Sequence, residues 1–287
     1  MASSPAVHEQ VSGSPPHWQV MDHGSDLWVG ERACQYGDGL FETVATVNGR
    51  PCLWRQHVDR LEMGCRRLSL PRPDVAALEA ILDSLCRQHA SRGVRVFWTA
   101  GRSERGYRRS PKAPPTGVVQ PFPWAPGHGL ATLRLTRCSH RLSENPRLAG
   151  IKHLNRLDQV LARAEWDDPS IDEGLMLGQD GRIVCGTRSN IVLEKNGRLT
   201  TPDLGSAGVA GVVRQCLIEE GRRSANPVLV SRVTPEQLLT ADAVYLTNAL
   251  TGVARVGCID DVQFDTGRAI HPLLASVHEL ALRATAG

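Results

Sequence analysis

The stretch AGIKHLNRLDQV, from Ala149 to Val160, decides how this chain folds around one lysine. It places Lys152 between a short apolar segment and the start of a predicted amphipathic helix. Apolar residues follow at the spacing of a single helical face. They are Leu154, Leu157, Leu161 and Ala164. The pattern predicts that Lys152 lies at the boundary of a secondary-structure element, where a scaffold can direct a side chain into a cleft.

A lysine at such a boundary is compatible with two roles. Burial lowers the pKa of an ammonium group, which can then form a Schiff base or transfer protons. A solvent-exposed lysine at the start of a helix is the commoner alternative. The position of Lys152 does not separate the two roles, so the choice depends on motifs elsewhere in the chain.

Length and charge narrow the class of protein. A chain of 287 residues favours two domains. The net charge is +3, from 33 basic and 30 acidic residues, and this balance argues against a nucleic-acid or membrane partner. The basic run from Arg105 to Arg109 is short, but it contains Tyr107 in a predicted loop. We therefore keep this run as a candidate substrate contact.

The cysteines and histidines favour a reducing compartment without a metal site. The 8 cysteines are scattered and form no C-x-x-C pair, which argues against a disulfide framework. The 10 histidines do not show zinc-ligand spacing. Residues 1–16 contain no apolar core of a secretory signal, so we expect a disordered leader and a cytoplasmic protein.

The order of predicted elements indicates two mixed α/β domains with a small-molecule cleft between them. The predicted helices are Arg55–Leu70, Val75–His89, Val212–Arg223 and His271–Ala284. Residues 111–129 contain six prolines and three glycines and read as a connecting segment. We predict a smaller N-terminal α/β domain at 17–120, a linker at 121–129 and a larger C-terminal domain at 130–287.

A glycine-rich run, Gly205–Gly211, leads into the predicted helix at Val212. Unpaired N–H groups at a helix start favour an anion, although a simple flexible loop would have the same sequence. Arg60 could provide a second phosphate contact, but an exposed helix arginine is the commoner interpretation. A Schiff-base lysine, a phosphate-binding helix start and an arginine together suggest a phosphorylated aldehyde cofactor.

Five motifs carry a resemblance to a known family. They are Tyr36–Thr43 (YGDGLFET), His57–Leu61 (HVDRL), Asn145–Leu157 (NPRLAGIKHLNRL), Gly186–Asn190 (GTRSN) and Gly208–Gln215 (GVAGVVRQ). From Trp18 to the C-terminus the chain resembles the fold type IV pyridoxal 5′-phosphate enzymes, and it is most similar to the aminodeoxychorismate lyases. The resemblance implies a two-domain mixed α/β (α+β) fold with the cofactor in the interdomain cleft, its larger C-terminal domain binding the cofactor.

The resemblance also implies roles for individual residues. Lys152 would hold pyridoxal 5′-phosphate, and Arg60 would bind its phosphate together with the backbone amides of Val212 and Val213. Asn248 and Ala249 match the loop that completes the phosphate site. Arg105 and Tyr107 match a loop that faces the substrate in lyases. Family members are generally homodimers, so the resemblance implies a homodimer.

The chain departs from the family pattern at one cofactor-binding position. Cys185 stands where the family normally has a glutamate, whose carboxylate pairs with the protonated pyridine nitrogen. A neutral thiol cannot hold that proton comparably, so transamination should be handicapped more than a lyase reaction. Ala249 stands where aminotransferases usually have threonine, and Ala100 stands where lyases often have arginine.

We expect a 4-amino-4-deoxychorismate lyase, which forms 4-aminobenzoate and pyruvate for folate synthesis. A fold type IV aminotransferase of the D-amino-acid or branched-chain type is the first alternative. A catalytically degenerate homologue is the second, and Cys185 is the reason to consider it.

Overall fold

The computed structural model describes residues 18–21, 29–87, 89–103, 105–127, 130–224 and 227–283. The predicted leader, residues 1–16, lies outside these ranges. The chain divides into two units, each of which makes most of its contacts internally. The first unit contains residues up to Ala125 together with Lys152–Asn155, and the second contains Pro126–Ile151 and Arg156–Arg283. The boundary at Ala125 lies in the predicted linker, and the domain bounds themselves stay a prediction.

The described part of the first unit is built on one sheet with three helices. In chain order its elements are β1 (Trp18–Val20), α1 (Arg32–Tyr36), β2 (Gly39–Val47), β3 (Arg50–Pro51), α2 (Trp54–Leu68), α3 (Val75–Cys86), β4 (Ser91–Thr99) and β5 (Thr116–Phe122). The strand order is β1-β5-β4-β2-β3. Strands β1 and β5 are parallel, and the other pairs are antiparallel.

Strand β5 corrects the interpretation of residues 111–129 as a connecting segment without regular structure. It pairs with β4 from Thr116 to Phe122, opposite Thr99 to Gly93. Proline lacks the N–H that a central strand must donate, which is why a Pro-rich stretch argues against a strand. Here β1 pairs only with Gly117–Val119, so Pro121 lies beyond the part of β5 that is paired on both sides.

The buried face of α2 carries polar as well as apolar side chains. His57, Arg60, Leu61, Gly64 and Cys65 are buried, with the spacing of a helical face. A Cβ at Gly64 would approach the Leu40 side chain to 2.7 Å, so the glycine lets α2 lie close to β2. The same face that packs on the sheet therefore buries Arg60, against the interpretation of it as an exposed helix arginine.

The second unit contains a nine-stranded sheet with four helices in its described residues. In chain order its elements are β6 (Thr132–Arg141), α4 (Leu157–Arg163), β7 (Glu173–Leu177), β8 (Ile183–Gly186), β9 (Asn190–Lys195), β10 (Arg198–Pro202), α5 (Val212–Arg223), β11 (Leu229–Ser231), α6 (Pro235–Leu239), β12 (Ala243–Asn248), β13 (Gly252–Ile259), β14 (Val262–Gln263) and α7 (Pro272–Leu282). The strand order is β11-β10-β9-β12-β13-β6-β7-β8, and β14 pairs with β13.

The predicted apolar face after Lys152 is only partly correct. Helix α4 begins at Leu157 rather than directly after the lysine, because Lys152–Leu154 pairs with β2. Its apolar residues Leu157, Val160 and Leu161 are 74%, 60% and 54% exposed. The spacing of the apolar residues correctly predicted a helix, but the described residues of the chain do not bury the apolar face of α4.

Candidate active site

The backbone around Lys152 is held along the beginning of β2. The amide of Phe41 donates to the Lys152 carbonyl at 2.9 Å, and the amide of Leu154 donates to the Gly39 carbonyl at 3.0 Å. The Lys152 Nζ lies 4.4 Å from the centre of the Phe41 ring. Gly150 has a φ of 82°, a backbone conformation that suits glycine. Backbone hydrogen bonds thus set where this amine projects.

Lys152 differs in environment from the other lysines of the chain. The sequence contains three, and Lys112 and Lys195 are both exposed, whereas Lys152 is half-buried. The Lys195 Nζ pairs with Asp242 at 3.0 Å. Of the three amines, Lys152 is therefore the one in a partly desolvated position, which suits a nucleophile.

Arg60 belongs to a buried cluster with Glu42 and His57. The Arg60 Nε donates to Glu42 Oε1 at 2.8 Å, and its Nη2 donates to Glu42 Oε2. The His57 Nδ1 lies 2.7 Å from Glu42 Oε2. Glu42 and Phe41 are consecutive in β2, so their side chains point to opposite faces of the sheet. Arg60 contacts Glu42 on one face, and the Lys152 Nζ lies over the Phe41 ring on the other.

Protonation in this cluster follows from burial and charge. Burial alone would raise the pKa of the Glu42 carboxyl, but Arg60 and His57 outweigh it and lower the pKa to about 2. Burial lowers the pKa of His57, although Glu42 opposes this effect. His57 is therefore neutral at pH 7, and its Nδ1 donates to the ionised Glu42. Glu42 accepts from the Nε and Nη2 groups of Arg60 and so holds this edge of the guanidinium.

Arg105 and Tyr107 lie in an exposed loop that is held at its base. Arg32 donates to three groups of this loop: Ser103 Oγ at 2.9 Å and the carbonyls of Gly106 and Tyr107 at 3.0 Å each. The carboxylate of Asp38 accepts from Arg32 Nε at 2.8 Å and from Arg109 Nε at 2.9 Å. Arg105 and Tyr107 are exposed, and their predicted contacts with substrate stay a prediction.

In the second unit, Cys185 is buried on β8 opposite Met176 of β7. Burial raises the pKa of its thiol to about 12, with a further contribution from the negative charge of Glu173. The side chain is therefore a neutral thiol at pH 7. This state agrees with the expectation that Cys185 provides no charged partner for a pyridine nitrogen.

The first turn of α5 has neither a side-chain cap nor an acidic residue. Its N-cap, Gly211, is extended and has no side chain to cap the helix, and no acidic residue lies in the first turn. Val212 and Val213 are both buried at this end. Free first-turn N–H groups and the positive end of the helix dipole favour a phosphate.

Asn248 and Ala249 lie at the end of β12. The Asn248 Oδ1 accepts from the amides of Leu250 and Thr251 at 3.0 Å and 2.8 Å, which closes a tight loop. The neighbouring Thr247 hydroxyl is buried and has no hydrogen-bond partner among the described residues. Sequence analysis did not identify Thr247, Glu42 or His57 as site residues, although the spacing of His57 and Arg60 on one helical face was a usable signal.

Comparison with known proteins identifies the family. The sequence model of the family described as "Amino-transferase class IV" matches residues 39–259. The chain belongs to the class IV aminotransferase family. This finding confirms the resemblance that the five motifs indicated.

Proteins similar to this chain include two that are named as lyases. An aminodeoxychorismate lyase from Vibrio harveyi is 35% identical over 235 residues, which cover 80% of this chain and 86% of that protein. The crystal structure of a 4-amino-4-deoxychorismate lyase from Pseudomonas aeruginosa superposes on this chain with a TM-score of 0.81. The match covers 89% of this chain and 94% of that chain, at 40% sequence identity.

Another solved structure with a similar fold has pyridoxal phosphate (PLP) bound. It is the PLP-bound form of a hypothetical aminotransferase from Mycobacterium tuberculosis, at 21% identity and a TM-score of 0.75 over 91% of this chain and 94% of that chain. The mixed α/β fold predicted from the sequence is confirmed.

Each unit by itself has groups that suit pyridoxal phosphate. In the first unit, Lys152 is a partly buried amine. In the second unit, the uncapped start of α5 and the buried Thr247 hydroxyl are donors for an anion. Cys185 fits less well, because its neutral thiol cannot pair with a protonated ring nitrogen. Within the described ranges, no cluster of His, Cys, Asp or Glu could hold a metal ion, and no helix is long and apolar enough to cross a membrane.

Proposed function

We propose that this protein is a 4-amino-4-deoxychorismate lyase that uses pyridoxal 5′-phosphate and releases 4-aminobenzoate and pyruvate. The observation that carries the proposal is its similarity to two proteins named as this lyase, at 35% and 40% identity over most of both chains. The half-buried lysine and the loop with Arg105 and Tyr107 support the same conclusion.

Each cofactor contact is assigned to a group of suitable chemistry. Lys152 binds the aldehyde carbon of the cofactor. The phosphate of the cofactor is bound by Arg60 and by the amides of Val212 and Val213. The loop at Asn248 and Ala249 completes the phosphate site. Ala249 can contribute only its backbone amide, since its side chain has no polar atom.

Lys152 also moves the protons of the reaction. Bound pyridoxal phosphate withdraws electrons from the carbon that carries the substrate amine. With the cofactor bound, Lys152 would be the base that removes the proton from that carbon. The ether bond to the enolpyruvyl group breaks as the ring becomes aromatic, and Lys152 returns a proton to the departing pyruvate fragment. Arg105 and Tyr107 contact the substrate carboxylates.

Cys185 favours the lyase over an aminotransferase. Transamination depends on the protonated ring nitrogen as an electron sink, and a thiol whose pKa is about 12 does not stabilise that proton. Aromatisation of the product ring drives the lyase reaction, which therefore depends less on the ring nitrogen. The same residue is the reason to test for a catalytically degenerate homologue.

The decisive experiment is a lyase assay with enzymatically generated aminodeoxychorismate, in which 4-aminobenzoate is followed by its fluorescence. Lys152→Ala should abolish product formation, whereas the matched controls Lys112→Ala and Lys195→Ala should retain it. Borohydride reduction of the PLP-loaded protein, followed by peptide mass spectrometry, should find the cofactor on Lys152.

Cofactor binding without formation of 4-aminobenzoate would refute the lyase activity. Pyridoxamine phosphate formed from an amino-acid donor would identify an aminotransferase. A protein that takes up no cofactor would be a degenerate homologue.

A homodimer is part of the proposal. Three apolar side chains of α4, Leu157, Val160 and Leu161, form an exposed face directly after the lysine segment. A second copy of the chain covers this face. Leu157→Glu with Val160→Glu should convert the dimer to a monomer in sedimentation experiments, whereas Leu239→Glu on α6 should not. A wild-type monomer would refute the dimer.

The cytoplasm is the proposed compartment. The chain has eight cysteines, and all of them are free thiols, which is the form that a reducing compartment maintains.

A further inference from the structure

The turn between β8 and β9 contacts both backbone segments of the candidate phosphate site. Ser189, the last residue of this turn, and Asn190, the first residue of β9, are both buried. Asn190 contacts the segment that enters α5, and Ser189 contacts Asn248. We propose that Ser189 and Asn190 are positioning residues that set the geometry of the cofactor's phosphate site. This inference rests on the proposed function, because it concerns the phosphate of the same cofactor.

Asn190 holds the backbone immediately before α5 with both ends of its amide. Its Nδ2 donates to the Val209 carbonyl at 2.8 Å, and its Oδ1 accepts from the Gly211 amide at 2.9 Å. A Cβ at Gly211 would overlap the Asn190 Oδ1, so this position admits only glycine without a shift. Asn190 therefore determines the direction from which the chain enters the first turn of α5.

Ser189 holds the other segment through Asn248. Its Oγ lies 2.9 Å from Glu173 Oε2 and 3.0 Å from Asn248 Nδ2. The Asn248 amide nitrogen can only donate, so the Ser189 oxygen accepts from it and the single Ser189 proton points to Glu173. This arrangement fixes the orientation of the Asn248 amide, which leaves Oδ1 facing the amides of Leu250 and Thr251.

Glu173 fixes Ser189 in turn. The carboxylate is buried and accepts from the Arg188 amide at 2.8 Å, in addition to the Ser189 hydroxyl. The residues that hold the two segments also come from adjacent strands, since Asn190 of β9 pairs with Thr247 of β12. One short turn, supported by one buried carboxylate, therefore positions the start of α5 and the loop after Asn248 together.

The test compares binding of pyridoxal phosphate with binding of pyridoxal, which lacks the phosphate. The apoenzyme variants are Ser189→Ala, Ser189→Thr, Asn190→Ala and Asn190→Asp, and binding is followed by the absorbance of the lysine adduct. Each lost hydrogen bond should weaken binding of pyridoxal phosphate by about tenfold, with binding of pyridoxal changed by less than about twofold. Ser189→Thr keeps the hydroxyl and should retain most of the affinity.

The matched control is Thr46→Val in the first unit, which also removes a buried hydroxyl, one that donates to the Arg92 carbonyl at 3.0 Å. It should leave both affinities unchanged. The positioning role would be refuted if the Ser189 and Asn190 variants lost affinity for pyridoxal phosphate and for pyridoxal equally. It would also be refuted if they lost affinity for neither. If the wild type binds no pyridoxal phosphate at Lys152, the proposed function fails as well. If any variant does not fold, as shown by thermal denaturation of the apoenzyme, the conservative substitution at the same position provides the comparison.

Discussion

Replacing Glu42 by glutamine should destabilise the apoenzyme strongly, because it removes the ionised carboxylate that pairs with the buried charge of Arg60. Glutamine has the shape of the protonated carboxyl, so the variant imitates the state that acid would produce. The pKa of Glu42 falls from 4.5 to about 2 on folding. At about 1.4 kcal/mol per pKa unit, the ionised form contributes about 3 kcal/mol at pH 7. Loss of one partner of a buried ion pair generally costs a similar amount, about 3–5 kcal/mol.

The pH dependence separates this effect from a simple packing defect. The folded pKa of Glu42 lies below the unfolded one, so its contribution is fully present above pH 4.5 and is lost as the pH falls toward 2. The difference in the free energy of unfolding between wild type and Glu42→Gln should therefore shrink from about 3 kcal/mol at pH 7 to about 1.4 kcal/mol at pH 3. Other carboxyls with lowered pKa values affect both proteins equally and cancel in the difference.

Urea denaturation of the two apoenzymes at several pH values provides this measurement. The matched control is Glu62→Gln on α2, the helix that carries Arg60, because the Glu62 carboxylate pairs with the exposed Arg72. Because exposed ion pairs contribute little, this variant should lose less than about 1 kcal/mol at pH 7. A Glu42→Gln variant as stable as the control, or a difference that does not vary with pH, would refute the assignment of Glu42 as the ionised partner of Arg60.

Three further substitutions test other parts of the structure. Cys185→Glu should increase side transamination, measured as pyridoxamine phosphate formed from an amino-acid donor; an unchanged spectrum and rate would contradict our account of the pyridine partner. Asp38→Asn removes the carboxylate that Arg32 shares with Arg109, so the loop with Tyr107 should become less ordered. The KM of the lyase reaction should then rise about tenfold, with the affinity for the cofactor unchanged. An unaltered KM would show that the loop does not bind the substrate. Gly211→Ala forces a methyl group against the Asn190 Oδ1, which is hydrogen-bonded. Thermal denaturation should show a loss of about 1–3 kcal/mol in the free energy of unfolding, together with weaker binding of pyridoxal phosphate. A variant as stable as wild type would contradict the close approach of Asn190 to Gly211.

Regular elements with strong local signals could be predicted well from the sequence. The predicted helices at Arg55–Leu70 and Val212–Arg223 correspond to α2 at Trp54–Leu68 and to α5 with the same bounds. Apolar spacing and a preceding glycine are local features, and they determine these elements without help from distant residues. Strand β5 was missed because its proline content argues against a strand. The structure shows that β5 pairs with β4 along its whole length, whereas β1 pairs only with Gly117–Val119. Pro121 therefore lies outside the part of β5 that has a neighbour on both sides.

For the candidate site, the sequence by itself determined which residues could do chemistry and in which order they occur. Lys152 and its motif, the helix start at Val212 and the thiol at Cys185 are all properties of short segments. The tertiary structure alone decided that Arg60 is buried against Glu42 and His57, that Ser189 and Asn190 hold two separate loops, and that the apolar face of α4 stays exposed. These features depend on contacts between residues far apart in the chain. A local pattern specifies which face of a helix is apolar or charged, but the long-range packing of strands and helices determines what that face meets.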